Sequence, residues 1–373
     1  MIRILTDSAT DFTQEELQKL NVRCVPMTIA FGGDTYTDGV DLPQEIFWQR
    51  MEAGQTPKTS QPSPDAFLRE FEAAKAAGDS VLCVLISSAL SGTLQSALIA
   101  VGMTEDLDVA LVDSLSATVG ERLLVQEACR MRDAGGKTAQ EIAEALRLLV
   151  PRVRIFACLD TLEYLARGGR IPKAVADVGM LVKLKPLVTV SPDGLVAMAG
   201  KAIGRHRAGD AIMKLMERHP IDPRYPLIPL YTGGRENCIA FLRQTAQAGY
   251  ACSIEEAVSI GPTIGSHVGP GAFGVAYISA ETSKLLGTAE EFTLSLFSDH
   301  LEVFHHHLRD HAGQHARHHA GNHQHRQIGH DELRCVEHDH RHENLAHVEG
   351  DRAERAHADD AHALDAAERD HRQ

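Results

Sequence analysis

Residues 84–97 read VLISSALSGTLQSA and place small hydroxyl side chains where an apolar strand meets a helix. The first N–H groups of a helix have no internal acceptor and carry partial positive charge. Ser91 and Thr93 add hydroxyl donors at this point, and Gly92 lets a ligand approach the backbone closely. The stretch predicts a site for a carboxylate or phosphate, although a helix-capping role for Ser91 explains the same residues. Its spacing fits neither a Walker loop nor a G-x-S-x-G elbow.

Strands alternate with helices along the first part of the chain, which predicts a parallel sheet covered on both faces. The apolar segments 2–6, 81–86 and 109–112 are the expected strands, each followed by polar residues. Ligands of such folds bind beyond the carboxyl ends of the strands. We therefore expect one polar rim formed by Asp7, Ser8, Ser87, Ser88, Ser91 and Asp113.

Local signals define several helix ends and loops in this part. Thr13 and Glu16 have the spacing of a capping box, and Ser63 before Pro64 predicts a helix start. Pro26 interrupts the apolar segment 22–31, which places that strand at an edge or a bulge. Three prolines in residues 57–64 (PKTSQPSP) predict a stiff loop.

The second half has a different pattern. Two strands around the turn SPDG at residues 191–194 predict antiparallel pairing, and further strands are expected at 153–159, 227–232 and 251–260. Near its end, five glycines surround His267. We expect a parallel-sheet α/β domain over residues 1–152, a mixed α/β domain over 153–280, and a disordered tail over 281–373.

Composition narrows the class of protein. The net charge of −14 argues against a nucleic-acid partner. Seven cysteines without a C-x-x-C pair indicate reduced thiols and a cytoplasmic protein. No signal sequence begins the chain, and no apolar run reaches the length of an integral membrane segment.

The tail differs from the rest of the chain. It holds 18 of the 21 histidines, and five of them recur every fourth residue. On a helix these five would lie on one face and could bind Zn²⁺ or Ni²⁺, but we expect an unstructured segment without a function. The five are His307, His311, His315, His319 and His323.

Eight sequence blocks resemble the DegV family of bacterial fatty-acid-binding proteins over about three quarters of the chain. The tail has no counterpart there. In order, the blocks are TDSATD (6–11), VPMTIAF (25–31), YTDGVDL (36–42), PKTSQPSP (57–64), ISSALSGTLQSA (86–97), LEYLARGGRI (162–171), KPLVTV (185–190) and IGPTIGSHVGPGAFGVAY (260–277).

The resemblance implies a DegV-like two-domain fold that encloses one long-chain fatty acid, with its carboxylate at the domain interface. Thr59, Ser91 and His267 would hold the carboxylate, with Gly92 and Thr93 in the same turn as Ser91. Arg170 would lie close by, where an interdomain salt bridge is an equal alternative. For the ligand's hydrocarbon chain, the candidate residues are Val175, Met180, Leu181 and Leu184, which core packing also explains.

The resemblance also implies a carrier rather than an enzyme. Family members present the fatty acid to a separate ATP-dependent fatty acid kinase, whose acyl phosphate product enters phospholipid synthesis. No cofactor or metal is expected. A basic cluster is a candidate surface for this partner, with a solvated turn as the alternative; it comprises Lys201, Arg205, His206 and Arg207.

Two other functions compete with this hypothesis. Ser91 and His267 could act as nucleophile and base of an acyl hydrolase, which requires a third group such as Asp7 to orient the histidine. Alternatively, the tail could buffer metal ions. Removal of the tail would separate that function from lipid binding.

Overall fold

The computed structural model describes residues 1–174 and 184–280, all within one compact unit. The strands are β1 (Ile2–Asp7), β2 (Val22–Val25), β3 (Thr28–Phe31), β4 (Asp34–Thr37), β5 (Pro57–Ser60), β6 (Ser80–Leu85), β7 (Val109–Asp113), β8 (Val153–Cys158), β9 (Leu184–Val190), β10 (Val196–Ile203), β11 (Ile228–Tyr231), β12 (Val258–Ser259) and β13 (Phe273–Ile278). The helices are α1 (Gln14–Leu20), α2 (Gln44–Glu52), α3 (Pro64–Ala77), α4 (Thr93–Gly102), α5 (Thr118–Ala134), α6 (Ala139–Leu149), α7 (Glu163–Arg167), α8 (Arg205–Arg218), α9 (Glu236–Gln247) and α10 (Pro262–Val268).

Three sheets organise these elements. The first has the order β2-β1-β6-β7 and is parallel throughout. A six-stranded sheet has the order β10-β9-β8-β13-β11-β12, and only its β11–β12 pair is parallel. A small antiparallel sheet, β4-β3-β5, lies between β2 and α3 in sequence. The α/β class with one parallel and one mixed sheet, predicted from the sequence, is therefore confirmed.

The local helix signals are also confirmed. Thr13 and Glu16 form both hydrogen bonds of a capping box at the start of α1. The Ser63 side chain accepts from the N–H of Ala66, with Pro64 at the first position of α3, and Gly78 ends that helix in the left-handed region. These contacts are local in sequence, which is why the sequence could reveal them.

Three predicted strands or loops differ from the structure. Segment 22–31 forms two strands in different sheets: β2 is an edge strand as expected, but the chain turns at Pro26 and β3 enters the small sheet. Residues 57–60 form β5 instead of a loop, because β3 offers them an antiparallel partner. Of segment 251–260, only β12 is a strand.

One hydrophobic core joins the two large sheets. It includes Ile4 and Leu82 of the parallel sheet together with Ile155, Val188 and Ile278 of the mixed sheet, all less than 8% exposed. The predicted boundary near residue 152 thus separates two sheets that share a core. A cavity between them can be lined from both.

A buried carboxyl group in this core makes stability depend on pH. Glu121 on α5 is fully buried; its Oε1 accepts from the Thr6 hydroxyl, and no described residue hydrogen-bonds its Oε2. Burial, and secondarily the nearby Asp7 carboxylate, raises the pKa of Glu121 well above the usual value. The folded protein therefore keeps a proton that the unfolded chain loses above about pH 4.3.

We expect Glu121→Gln to raise the melting temperature progressively more from pH 5 to pH 8, with no gain near pH 4. Folded wild type must keep this carboxyl protonated, so rising pH lowers its free energy of unfolding. The glutamine variant has no such group and does not lose this stability. Thermal unfolding across this pH range checks the result, with exposed Glu144→Gln as control. A difference between the Glu121 variant and wild type that is independent of pH would contradict it.

Candidate functional site

The turn between β6 and α4 brings Ser91 and Thr93 together, as their spacing suggests. Their hydroxyl oxygens are 2.9 Å apart. Gly92 is the N-cap residue of α4 and provides no side-chain cap, so Ser91 does not cap this helix. A Cβ on Gly92 would lie 2.2 Å from Oε1 of Gln61, so the amide of Gln61 packs closely over this glycine.

Thr59 and His267 come from distant parts of the chain and meet directly. Thr59 lies on β5 and His267 on α10, and Thr59 Oγ1 is 2.9 Å from His267 Nε2. The pairing of β5 with β3 fixes the position of Thr59, because Thr59 lies opposite Ile29 in that register. Two of the residues proposed for a carboxylate site are thus in contact.

The His267 ring is neutral. Burial, and secondarily the charge of Arg170, lowers the pKa of His267 to about 4. Its Nδ1 is buried and has no hydrogen-bond partner among the described residues. Gly168 lies against this edge of the ring: a Cβ there would be 2.2 Å from Nδ1. His267 therefore interacts with Thr59 through one nitrogen while the other packs on bare backbone.

Arg170 connects the Ser91 turn with the surroundings of His267. Its Nε and Nη2 donate to the Leu90 carbonyl at 3.2 and 3.0 Å, and Nη1 donates to the Gly168 carbonyl at 2.7 Å. Burial lowers its pKa from the usual value of an arginine. These partners are carbonyl oxygens, so the contacts leave its positive charge without a carboxylate partner among the described groups. The interdomain salt bridge considered for Arg170 is thus absent from the described contacts.

One cavity of about 430 Å³ between the two large sheets is lined by four of the predicted site residues: Thr59, Ser91, Arg170 and His267. The volume falls within the range of small-ligand sites. Apart from the four, its lining is largely aliphatic and comes from the loops that follow β2 and β6, the start of α5, strands of the mixed and small sheets, and α7 and α10: Met27, Ser60, Gln61, Ile86, Leu90, Ala117, Thr118, Ile155, Leu165, Val188, Thr189, Val190, Val196, Thr263 and Ile264.

Three other side chains of the predicted rim, those of Asp7, Ser87 and Asp113, bind backbone groups. Asp7 accepts from the N–H groups of Ala9 and Ile86, and Asp113 from those of Ser88 and Leu115. The Ser87 hydroxyl donates to the carbonyl of Gly194 at 2.8 Å, in the turn between β9 and β10. These side chains fix the loops that surround the cavity. Of the six predicted rim residues, Ser91 lines the cavity, whereas the other five are not among the described lining residues.

The basic cluster is divided between partly buried and exposed members. Arg205 donates to Asp160 and to the carbonyls of Gly271 and Asn237, and its guanidinium lies 4.7 Å from the Phe273 ring centre. Lys201 lies on β10 and is partly buried. His206 and Arg207, at the start of α8, are exposed.

The hydrolase hypothesis finds no triad here. His267 Nε2 meets Thr59 rather than Ser91, and no described carboxylate contacts Nδ1. Asp7, the suggested orienting group, binds backbone N–H groups instead. A histidine with a pKa of about 4 is also a weak base at neutral pH.

Several residues that shape the cavity were not identified from the sequence. Gln61, Thr118 and Thr263 line it, and Gly168 supports His267. Gln61, Gly168 and Thr263 lie in the blocks TSQPS, ARGGR and GPTIG, but local sequence does not tell which side chain of a block faces a cavity. Leu184 is half-buried and is not among the described lining residues, whereas Val175, Met180 and Leu181 lie outside the described residues.

Comparison with known proteins identifies the family. Residues 1–280 match the family described as "Uncharacterised protein, DegV family". This chain belongs to the DegV family. A DegV domain-containing protein, YteA from Lactococcus lactis, is 34% identical over 290 residues, which cover 76% of this chain and 99% of the relative.

Two solved structures share the fold. A fatty-acid-binding DegV family protein from Thermus thermophilus is 33% identical, with a TM-score of 0.66 and coverage of 74% of this chain and 99% of its own. A stearic-acid-binding protein from Eubacterium ventriosum is 27% identical, with a TM-score of 0.68 and coverage of 75% and 98%. The family predicted from the sequence blocks is thus confirmed.

Within residues 1–174 and 184–280, no helix has the length and apolar character needed to cross a membrane. Within the same residues, no group of three or more His, Cys, Asp or Glu side chains could hold a metal ion. The histidines of the predicted tail, 281–373, lie outside the described residues.

Proposed function

We propose that this protein binds one long-chain fatty acid in the cavity between the two large sheets. The observation that supports this most directly is the distribution of polarity: Thr59, Ser91, Arg170 and His267 line the same cavity, with Thr59 and His267 in direct contact, and most other lining side chains are apolar. A carboxylate with a long hydrocarbon chain matches both parts. The related proteins from Thermus thermophilus and Eubacterium ventriosum are described as binding fatty acids.

The hydroxyl groups would donate to the carboxylate. His267 is neutral, so its Nε2–H can donate to Thr59 Oγ1, which leaves the Thr59 proton for the ligand. Thr93 can likewise donate to Ser91 Oγ, which frees the Ser91 proton. The charge of Arg170 stabilises the anion from close by. Buried carboxylates require such donors, because an unsatisfied charge in an apolar site is costly.

The hydrocarbon chain would supply most of the affinity. A C16 chain has about 14 methylenes, and burial of each contributes about 0.8 kcal/mol, or about 11 kcal/mol before the cost of association. Even after that cost, slow release is expected. A protein that retains its ligand in this way suits the role of a carrier.

We further propose that the bound fatty acid is presented to a separate ATP-dependent kinase, which phosphorylates the carboxylate. The described residues contain no phosphate-binding glycine loop of the nucleotide type, which agrees with a nucleotide site on another protein. Exposed Arg207 offers positive charge for contact with an acidic or phosphate-bearing partner, exposed His206 lies next to it in sequence, and the contacts of Arg205 hold this segment in place.

Native mass spectrometry of the purified full chain, followed by solvent extraction and lipid analysis, tests the binding. We expect one fatty acid per protein in wild type and loss of it in the Ser91→Ala/His267→Ala variant. Thr245→Val, which removes a buried hydroxyl on α9 away from the cavity, is the control and should keep its lipid. A wild-type protein that is empty and refuses added palmitate would contradict the proposal.

Addition of an ATP-dependent fatty acid kinase to the loaded protein tests the second part. We expect ATP-dependent acyl phosphate formation with wild type and none with the emptied double variant. Acyl phosphate formation at the same rate from free palmitate, without this protein, would refute the carrier role.

A further inference from the structure

Two carboxyl groups, those of half-buried Asp11 and buried Asp38, hold the start of α10, the helix that carries His267. Asp11 Oδ1 accepts from the backbone N–H of Gly261 at 2.8 Å. Asp38 Oδ2 accepts from the Thr263 hydroxyl at 2.5 Å. These contacts join segments 250 and 225 residues apart in the sequence. The start of α10 is therefore positioned by the half of the chain that contains the parallel sheet.

The two carboxylates lie behind the cavity wall rather than in it. Thr118 and Thr263 line the cavity, and their hydroxyls donate to Asp11 and Asp38, respectively. Neither aspartate is among the described lining residues. Ser8 Oγ lies 3.5 Å from Thr263 Oγ1 and adds a third group to this network. Asp11 and Asp38 therefore hold residues of the cavity wall and are not placed to contact a ligand directly.

The geometry of α10 connects this network to the proposed carboxylate site. Thr263 and His267 are four residues apart, so they lie on the same face of the helix, one turn from each other. On another face, Gly265 packs against α2: a Cβ there would be 2.8 Å from Trp48 and 3.0 Å from Phe47. Because one face is packed against aromatic rings, the Asp38–Thr263 bond can fix the rotation of the helix.

We propose that Asp38, acting through Thr263, is a positioning residue that sets the rotation of α10 and thereby holds His267 Nε2 against Thr59. The positioning role does not depend on the proposed function, but its expected effect on ligand binding rests on the proposed fatty-acid function. A buried aspartate is costly to desolvate, which favours a role that an apolar residue could not fill. That role is the orientation of a side chain one helical turn away.

Two substitutions of Thr263 separate positioning from packing. Thr263→Val keeps the shape of the side chain and removes the hydroxyl, whereas Thr263→Ser keeps the hydroxyl and removes a methyl group. The ¹⁵N resonances of the His267 ring, assigned by their loss in His267→Gln, report the hydrogen bond to Thr59 in the ligand-free protein. Release of radiolabelled palmitate to excess phosphatidylcholine vesicles reports the consequence for binding.

We expect Thr263→Val and Asp38→Asn to shift the His267 ring resonances and to accelerate palmitate release about tenfold. Thr263→Ser should remain within about twofold of wild type. Thr245→Val, which removes a buried hydroxyl elsewhere, controls for general destabilisation and should leave the ring resonances unchanged.

Unchanged His267 resonances in Thr263→Val and Asp38→Asn would overturn the inference, as would equal shifts in Thr263→Val and Thr263→Ser. If wild type retains no palmitate, the proposed function fails. The resonances of the ligand-free protein still decide the positioning role in that case.

Discussion

Replacing Gly168 with alanine is expected to weaken fatty-acid binding about 100-fold. The added Cβ would lie 2.2 Å from Nδ1 and 2.8 Å from Cε1 of His267, so the buried ring must move. Movement of the ring breaks the contact between Nε2 and Thr59 and misdirects the hydroxyl proton proposed to reach the carboxylate. Loss of two hydrogen bonds at a charged group, at about 1.5 kcal/mol each, corresponds to about 100-fold in affinity.

Backbone strain does not complicate this substitution. Gly168 has φ −74° and ψ −8°, a conformation that alanine adopts readily, whereas the next residue, Gly169, has φ +73°. The added Cβ would also lie 3.2 Å from the Tyr164 carbonyl oxygen, but its severe contact is with the imidazole, which therefore dominates the effect. Gly102→Ala at the end of α4, where a Cβ meets nothing within 4 Å, is the matched control and should bind as wild type does.

A double-mutant cycle tests the cause. If the clash with the ring is responsible, Gly168→Ala lowers the melting temperature of wild type but not of the His267→Ala variant, which has no ring to displace. Palmitate affinity by isothermal titration calorimetry and thermal unfolding give the two readouts. Wild-type affinity in Gly168→Ala, or an equal loss of stability in both backgrounds, would show that His267 does not depend on this glycine.

This contact also shows where prediction from sequence ends. The helix caps at Thr13 and Ser63 were predictable because both partners lie within a few residues. The approach of Gly168 to His267 joins positions 99 residues apart and depends on how α7 packs against α10. The block containing Gly168 pointed to the family but could not reveal that the glycine makes room for an imidazole.

The position of the site illustrates the same limit. The rule that ligands bind beyond the carboxyl ends of parallel strands predicts a rim of six residues, of which Ser91 lines the cavity. The strand that positions Thr59 was not predictable in this way: the prolines of residues 57–64 favour a loop, and β5 forms only by pairing with β3. Thr59, Ser91, Arg170 and His267 were named together through the family resemblance, and the structure brings them to one cavity. Their role in carboxylate binding stays a prediction.

Val188→Phe is expected to change which chain length is bound rather than whether a carboxylate is bound. Val188 lies on β9, is 7% exposed and lines the apolar part of the cavity. Phenylalanine has four more side-chain carbons than valine, and this volume displaces about four methylenes of the ligand. At about 0.8 kcal/mol each, palmitate loses about 3 kcal/mol of affinity, or roughly 200-fold.

A shorter fatty acid should escape this penalty. Laurate has four methylenes fewer than palmitate, so we expect its affinity for Val188→Phe to be within a few-fold of its affinity for wild type. Titration with both acids measures the change. Binding of laurate also shows that the variant is folded and that its carboxylate site is intact, which separates chain selection from general damage to the core.

The matched control is Leu195→Phe, in the exposed turn that joins β9 to β10. Leu195 is 40% exposed and is not among the described lining residues, so this larger side chain should leave both affinities unchanged. An equal loss of laurate and palmitate in Val188→Phe would contradict the assignment of this region to the hydrocarbon chain. Selective loss of palmitate would show that the mixed sheet determines the length of the ligand, while the residues around Ser91 and His267 bind its carboxylate.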